Sequence, residues 1–182
     1  MLERYYNCII KFDLINKYSY VSLKKIPKVE KIIFNFGCKN HNFFEISSTL
    51  LFLELISQKQ SSVTKAKKSN VLLKIRKGEI TGCTVILKKS DLYHFFLIFV
   101  TNIVPNIKKF KGIYVSKKKL LKKGFSLVLN DFICFKELEK QFYLFSKLPP
   151  LNITFLLSNI KAEKELLYLL QSFKFPLLFK NK

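Results

Sequence analysis

The sequence predicts an α+β fold, a mainly antiparallel sheet with helices packed on one face. Three observations lead there. Period-two segments recur at residues 29–37 and along a basic hairpin, apolar stripes of helical period separate them, and strands joined by a hairpin with interspersed helices give such a layered architecture. No internal repeat and no linker divides the chain, so residues 1–182 are expected to form a single domain, with an N-terminal helix at 2–17 and a core at 26–176.

Each element follows from local pattern. Leu2, Tyr5, Tyr6, Ile9 and Ile10 recur at helical spacing. In VEKIIFNFG (29–37), Ile32, Phe34 and Phe36 fall on the side of Glu30, and Val29, Lys31, Ile33 and Asn35 on the other, until Gly37 ends the strand. The first set belongs to the core, which leaves Lys31 and Asn35 on the opposite face. Asn42 and Glu45 have the form of a capping box, with Phe43, Ile46, Leu50 and Leu53 as the apolar face of a helix at 43–57. The hairpin enters through TKAKKS (64–69), passes Lys74, Arg76 and Lys77, turns at Gly78 and returns as TGCTVILKK (81–89). Lys65 and Lys67 share a strand face by the period of two, with Val63 beside them.

The remaining elements are helix, two strands and helix. Ser90 caps a helix striped by Leu92, Phe95, Phe96, Phe99, Val100 and Ile103, which Pro105 ends. The stripe is expected to be core packing. KKFKG (108–112) and KKKLLKKG (117–124) make a basic connection, 125–135 reads as an irregular strand and 153–157 as another. Ser158 or Asn159 opens a last helix with Leu166, Leu169, Leu170 and Phe173 on its apolar face, and Pro176 stops it.

Charge narrows the function. The net charge of +21, from 33 Lys and Arg against 12 Asp and Glu, repels itself unless a polyanion neutralises it. Nucleic acid or an anionic membrane is the expected partner. Hydrophobic residues at 49% exclude a disordered basic tail. Ser, Thr and Lys together on the hairpin are the set that contacts phosphate and ribose oxygens, although a charged edge strand also serves simply to block aggregation. The bias toward Phe, Ile, Leu, Asn and Lys points to an AT-rich organelle or reduced genome.

Catalytic chemistry is not visible. Cys8, Cys38, Cys83 and Cys134 have no paired spacing and are expected to be buried free thiols rather than metal ligands or disulfides. His41 and His94 have no ligand partner in step, His94 reading as structural, and the acids are too scattered for a two-metal nuclease. No enzyme is expected, no cofactor, and no Mg2+ except through bound RNA. The N-terminus lacks the pattern of a signal or transit peptide, and the longest apolar run, 95–104, is too short to span a bilayer. The competing readings are a basic peripheral membrane-surface protein, whose helices would need to be more basic than these, and an organelle-encoded nucleic-acid-processing factor, which would need clustered acids.

In order and spacing, VEKIIFNFG (29–37), TKAKKS (64–69), KIRKGEITGC (74–83), VPNIKKFKG (104–112) and the ending NITF, helix, FKFP resemble the large ribosomal subunit protein five family, the 5S rRNA binders. The likeness runs from about residue 26 to 176, and ELEKQFYLF (137–145) is similar to mitochondrion-encoded members. The resemblance implies a structural constituent of the large subunit, in the central protuberance, with its sheet face against 5S rRNA and adjacent large-subunit rRNA. It implies rRNA contacts at Asn35, Thr64, Lys65, Lys67, Lys68 and Ser69, which Lys31 would join. The loop carrying Lys74, Arg76 and Lys77 would face P-site tRNA. Lys108, Lys109 and Lys111 would face large-subunit rRNA and the bridge to the small-subunit head, where protein thirteen is a neighbour. The partners implied are 5S rRNA where it exists, large-subunit rRNA, P-site tRNA and neighbouring ribosomal proteins, with no membrane. The expected location is the mitochondrial matrix, from an organelle gene, with the plastid as alternative. Departures from the family pattern are Cys38 and Lys39 after Gly37, Ser57 and Gln60 for a Gly and a Pro at the hairpin entry, Leu72 for a loop glycine, Lys109 for an acid and Asn130 for an arginine.

Overall fold

The computed structural model describes residues 1–38, 42–107, 113–114, 124–135, 138, 141–145, 148–160 and 162–178. Strands β1 (Lys28–Gly37), β2 (Ser62–Lys65), β3 (Ile80–Lys88), β4 (Ile113–Tyr114), β5 (Gly124–Leu129), β6 (Leu151–Ser158) and β7 (Leu177–Leu178) form two sheets. Five of them make an antiparallel sheet in the order β2-β3-β1-β6-β5. The other two, β4 and β7, pair in parallel, Ile113 opposite Leu177. Helix α1 joins Leu2–Tyr5, a π turn at Tyr6–Ile10 and Lys11–Lys17, and α2 is Phe43–Ser57. Helix α3 joins Lys89–Ile98, a π turn at Phe99–Ile103 and Val104–Asn106; α4 is Phe142–Phe145 and α5 is Glu163–Ser172. The α+β class read from the sequence is the one observed.

The chain falls into two compact units, Met1–Ile32, Leu87–Leu127 and Thr154–Lys182 in one, Ile33–Ile86 and Val128–Ile153 in the other.

In the first unit α1 buries Tyr6, Ile10 and Leu14, while Tyr5 and Ile9 of the expected stripe lie outside. The helix is apolar on two sides, and its π turn keeps residues four apart nearly in line, which favours the 6-10-14 row. Phe96 and Phe99 of α3 pack on Phe155 of β6, and Phe125 of β5 stacks on Phe155 at 4.9 Å, so the Phe-rich stripe is core. Helix α3 starts at Lys89, before Ser90, whose hydroxyl bonds Asp91 instead of capping. Pro105 does not end it, because the wider π turn before it accommodates the missing N–H and one more turn follows. His94 is exposed. Helix α5 begins at Glu163 rather than at Ser158 or Asn159. Asn159, at φ +62, instead donates its amide to the Lys24 carbonyl at 2.8 Å, tying that loop to the entry of β1.

Tyr6 fixes the other side of that entry. Its hydroxyl donates to the Pro27 carbonyl at 2.8 Å and its ring stacks on Tyr93 and Phe173. Burial raises its pKa from 10.0 to about 12. Because the folded value is raised, this contribution to stability is present below pH 10 and is lost as pH climbs through 12. Tyr6→Phe is therefore expected to cost about 1 kcal/mol at neutral pH and to flatten the alkaline decline in denaturant titrations, in part only, since Tyr20 and Tyr93 shift the same way. An unchanged alkaline slope would contradict this assignment.

In the second unit, Phe52 of α2 lies edge-on to Phe36, Phe132, Phe135 and Phe145 at 4.9–5.6 Å. The face that α2 buries is Ile46, Thr49, Phe52 and Leu53; Phe43 is 86% exposed and Leu50 only half-buried. This helix is apolar nearly all round, so periodicity had several faces to choose from. Asn42 makes no side-chain capping bond. The strand expected at 125–135 stops at Leu129, and a 3-10 turn at Phe132–Cys134 replaces its second half. That turn brings residues three apart to one ring, whereas a strand would point them to opposite faces. Thr49 Oγ1 donates to the Ile46 carbonyl and lies 3.3 Å from Cys83 Sγ. Burial raises the thiols of Cys38 and Cys83, and raises Cys134 to about 11. All four cysteines are free, but Cys8 is exposed, since it sits on the outer side of α1.

The alternation along β1 has one break. Ile32, Phe34 and Phe36 are fully buried as expected, yet Val29 is buried and Glu30 exposed. The phase shift keeps the Glu30 carboxylate in water, where burial would cost several kcal/mol.

Candidate nucleic-acid interface

Strand β2 is the edge of the sheet, and the hairpin grows from it. Its entry is set by Glu54, whose carboxylate accepts the backbone N–H of Ser61 at 3.0 Å and its hydroxyl at 2.9 Å. Those bonds hold the Glu54 carboxyl below the usual range. Where the resemblance leads one to expect a Gly and a Pro, Ser57 Oγ bonds the Leu53 carbonyl at 2.6 Å and Gln58 takes a left-handed φ of 52° to end α2. The chain therefore enters β2 without either residue.

Across the β2–β3 pair, Ser62 is opposite Thr84, Val63 opposite Cys83 and Thr64 opposite Gly82. Residues opposite one another share a face, so Val63 lies on the core side with Cys83, and Ser62 and Thr64 lie on the open side with Thr84. A side chain at 82 would strike the Phe36 carbonyl of β1, which explains glycine there. Between Thr64 and Lys65 the register shifts, Lys65 pairing with Ile80. Such a bulge bends and twists the edge outward.

The ribbon continues beyond the strands. Ala66 N–H bonds the Glu79 carbonyl at 2.8 Å and Gly78 N–H the Ala66 carbonyl at 2.9 Å, with Gly78 at φ +89. Lys67 does not share a strand face with Lys65, because β2 ends at Lys65 and Lys67 lies in the turn beyond it. The bulge is the physical cause of that early end. Lys65, Lys67, Lys68 and Ser69 are all exposed, as are Lys74, Arg76 and Lys77 on the returning arm. Thr64 is half-buried, and its carbonyl accepts the Thr81 hydroxyl at 3.2 Å. Across 62–80 the acid is Glu79, whose carboxylate accepts the Arg76 backbone N–H at 2.6 Å.

The other expected contacts are more dispersed. Asn35 is exposed on β1, in the same unit as the ribbon. Its open-side companions there are Ile33, Thr84 and Ile86, so this part of the sheet face is hydroxyl, amide and aliphatic rather than cationic. Lys31 is half-buried on the part of β1 that belongs to the other unit. Lys108, Lys109 and Lys111 lie outside the described residues. Sequence reasoning missed the apolar tip of the ribbon at Val71, Leu72 and Leu73, and the turn-forming Asn70 before it was the available signal.

Among the described residues no group of three or more His, Cys, Asp or Glu is placed to hold a metal, and no helix is long and apolar enough to cross a membrane. A layered α+β body that extends its sheet edge into a cationic ribbon is the build of a protein that lies along a polyanion.

Comparison with known proteins gives that class its family. A sequence profile for the C-terminus of the ribosomal uL5 family matches residues 80–177. The chain is 36% identical over 179 residues to the large ribosomal subunit protein uL5m of Reclinomonas americana, covering 97% of each. It is 33% identical over 177 residues to uL5 of Wigglesworthia glossinidia brevipalpis, with 96% of this chain and 97% of the relative covered. With uL5 of Nitrosomonas eutropha the identity is 34% over 184 residues, 100% of this chain and 98% of the relative. The chain belongs to the uL5 family, structural rather than enzymatic proteins of the ribosome.

Proposed function

We propose that this chain is a structural component of the large subunit of a mitochondrial ribosome. There it binds large-subunit rRNA, and 5S rRNA where present, in the central protuberance. The carrying observation is the ribbon, with six cations (Lys65, Lys67, Lys68, Lys74, Arg76, Lys77) against Glu79 and the hydroxyls of Thr64 and Ser69. Exposed cations beside hydroxyls suit phosphate and ribose, and the neutral open face at Asn35 and Thr84 suits 2′-hydroxyl and base-edge contacts. The returning arm with Lys74, Arg76 and Lys77 faces P-site tRNA in this reading. Lys108, Lys109 and Lys111 face rRNA and the small-subunit head, with protein thirteen as neighbour. The likeness to a uL5m supports the mitochondrial location.

Sedimentation of the native protein at high and low magnesium, with the co-purifying RNA sequenced, tests this. The protein is expected in the large-subunit fraction at both, with large-subunit rRNA and, where it exists, 5S rRNA. Recovery free of ribosomes, or on vesicles, overturns the reading.

A further inference from the structure

At the end of the ribbon Val71, Leu72 and Leu73 are 90, 93 and 66% exposed. Single exposed apolar residues are ordinary, but three in a row on a turn tip are not explained by chance surface composition. The turn is independently built. Asn70 and Ile75 exchange backbone bonds of 2.9 and 3.0 Å, and Asn70 Oδ1 accepts the N–H groups of Leu72 and Leu73 at 3.0 and 3.4 Å. Lys74, at φ +53, donates its N–H to the Val71 carbonyl at 3.1 Å. The aliphatic side chains thus project from a scaffold that does not need them for its own closure.

The surroundings choose the partner. Lys67 and Lys68 stand on one arm and Lys74, Arg76 and Lys77 on the other, so whatever meets the tip is strongly anionic around an apolar spot. Folded RNA has that character wherever a base leaves its stack, with a flat apolar face flanked by phosphates. We propose that Val71, Leu72 and Leu73 form an apolar wedge that seats against an unstacked base or ribose face of RNA while the cations of both arms hold the adjoining phosphates. The inference rests on the RNA-binding reading above and adds a contact that charge does not supply. An uninterrupted duplex hides its base faces, so the wedge selects loops, bulges and tertiary corners.

The test uses the full chain and three probes: protein-free large-subunit rRNA, unfractionated tRNA and an uninterrupted RNA duplex, titrated from roughly 50 to 400 mM KCl. The variant carries Val71→Ser, Leu72→Ser and Leu73→Ser together. Its affinity for rRNA or for tRNA is expected to fall on the order of 10-fold at every salt concentration with the salt slope unchanged, and its duplex binding to stay the same. The probe that responds identifies the source of the base. Asn70→Ala, which loosens the turn but keeps the aliphatic groups, should weaken the same probe less. Equal thermal midpoints establish that the variants fold. Unchanged binding of the serine variant to both structured RNAs overturns the wedge alone and leaves a protein or lipid surface as the occupant. A change in slope also overturns it, because the tip would then only space the cations. If the unsubstituted chain binds no RNA, the parent reading falls as well.

Discussion

Replacing Lys65, Lys67 and Lys68 together by alanine is expected to abolish retention of 5S rRNA in a pull-down. Affinity for large-subunit rRNA should fall by on the order of 100-fold at physiological salt. All three side chains are exposed, so the thermal midpoint should not move. Each lysine that displaces a counterion from a phosphate lowers the salt slope by roughly one, and the triple variant should therefore be less sensitive to KCl by about three. Because the bulge separates Lys65 from the other two, single variants are expected to be unequal, with Lys65 acting from the sheet edge and Lys67 and Lys68 from the turn. Retention equal to that of the unsubstituted chain would mean that these lysines only keep the edge soluble.

Phe52→Ala carries the largest expected stability effect. Phe52 is 0% exposed and meets four other aromatic rings, Phe36 from β1, Phe132 and Phe135 from the 3-10 region and Phe145 from α4. Truncation removes its contacts to all four and leaves a cavity that rigid rings fill poorly, at a cost of about 3–5 kcal/mol. In a chain of this length that lowers the midpoint by roughly 10 °C. Phe52→Leu, which refills part of the volume, should cost less. A loss below about 1 kcal/mol for the alanine variant would show that the ring cluster is not the core of this unit.

The two predictions differ in how far the sequence reached them. The lysines were legible because a run of like charge beside a turn glycine is a local pattern, and exposure is its ordinary consequence. The partners of Phe52 were not. Nineteen phenylalanines spread along the chain satisfy too many stripes at once, and α2 is apolar on faces that carry Phe43, Phe44, Leu51 and Leu55 as well as on the one it buries. Capping suffered similarly, since Asn42 and Ser90 are good caps by type but the chain enters both helices without using them.

By itself the sequence determined the layered α+β class, the helical identity of the Phe-rich stripe, the position of the basic hairpin and the family. All of these are written in local period, charge and motif order. Only the tertiary structure decided which face of α1 and α2 is buried, that 132–134 turns instead of extending, that a bulge parts Lys65 from Lys67, and that three aliphatic side chains stand bare at the ribbon's tip. Those outcomes depend on which distant residues meet, on Gly82 passing under the Phe36 carbonyl and on Phe132 reaching Phe52, and no spacing along the chain encodes such meetings.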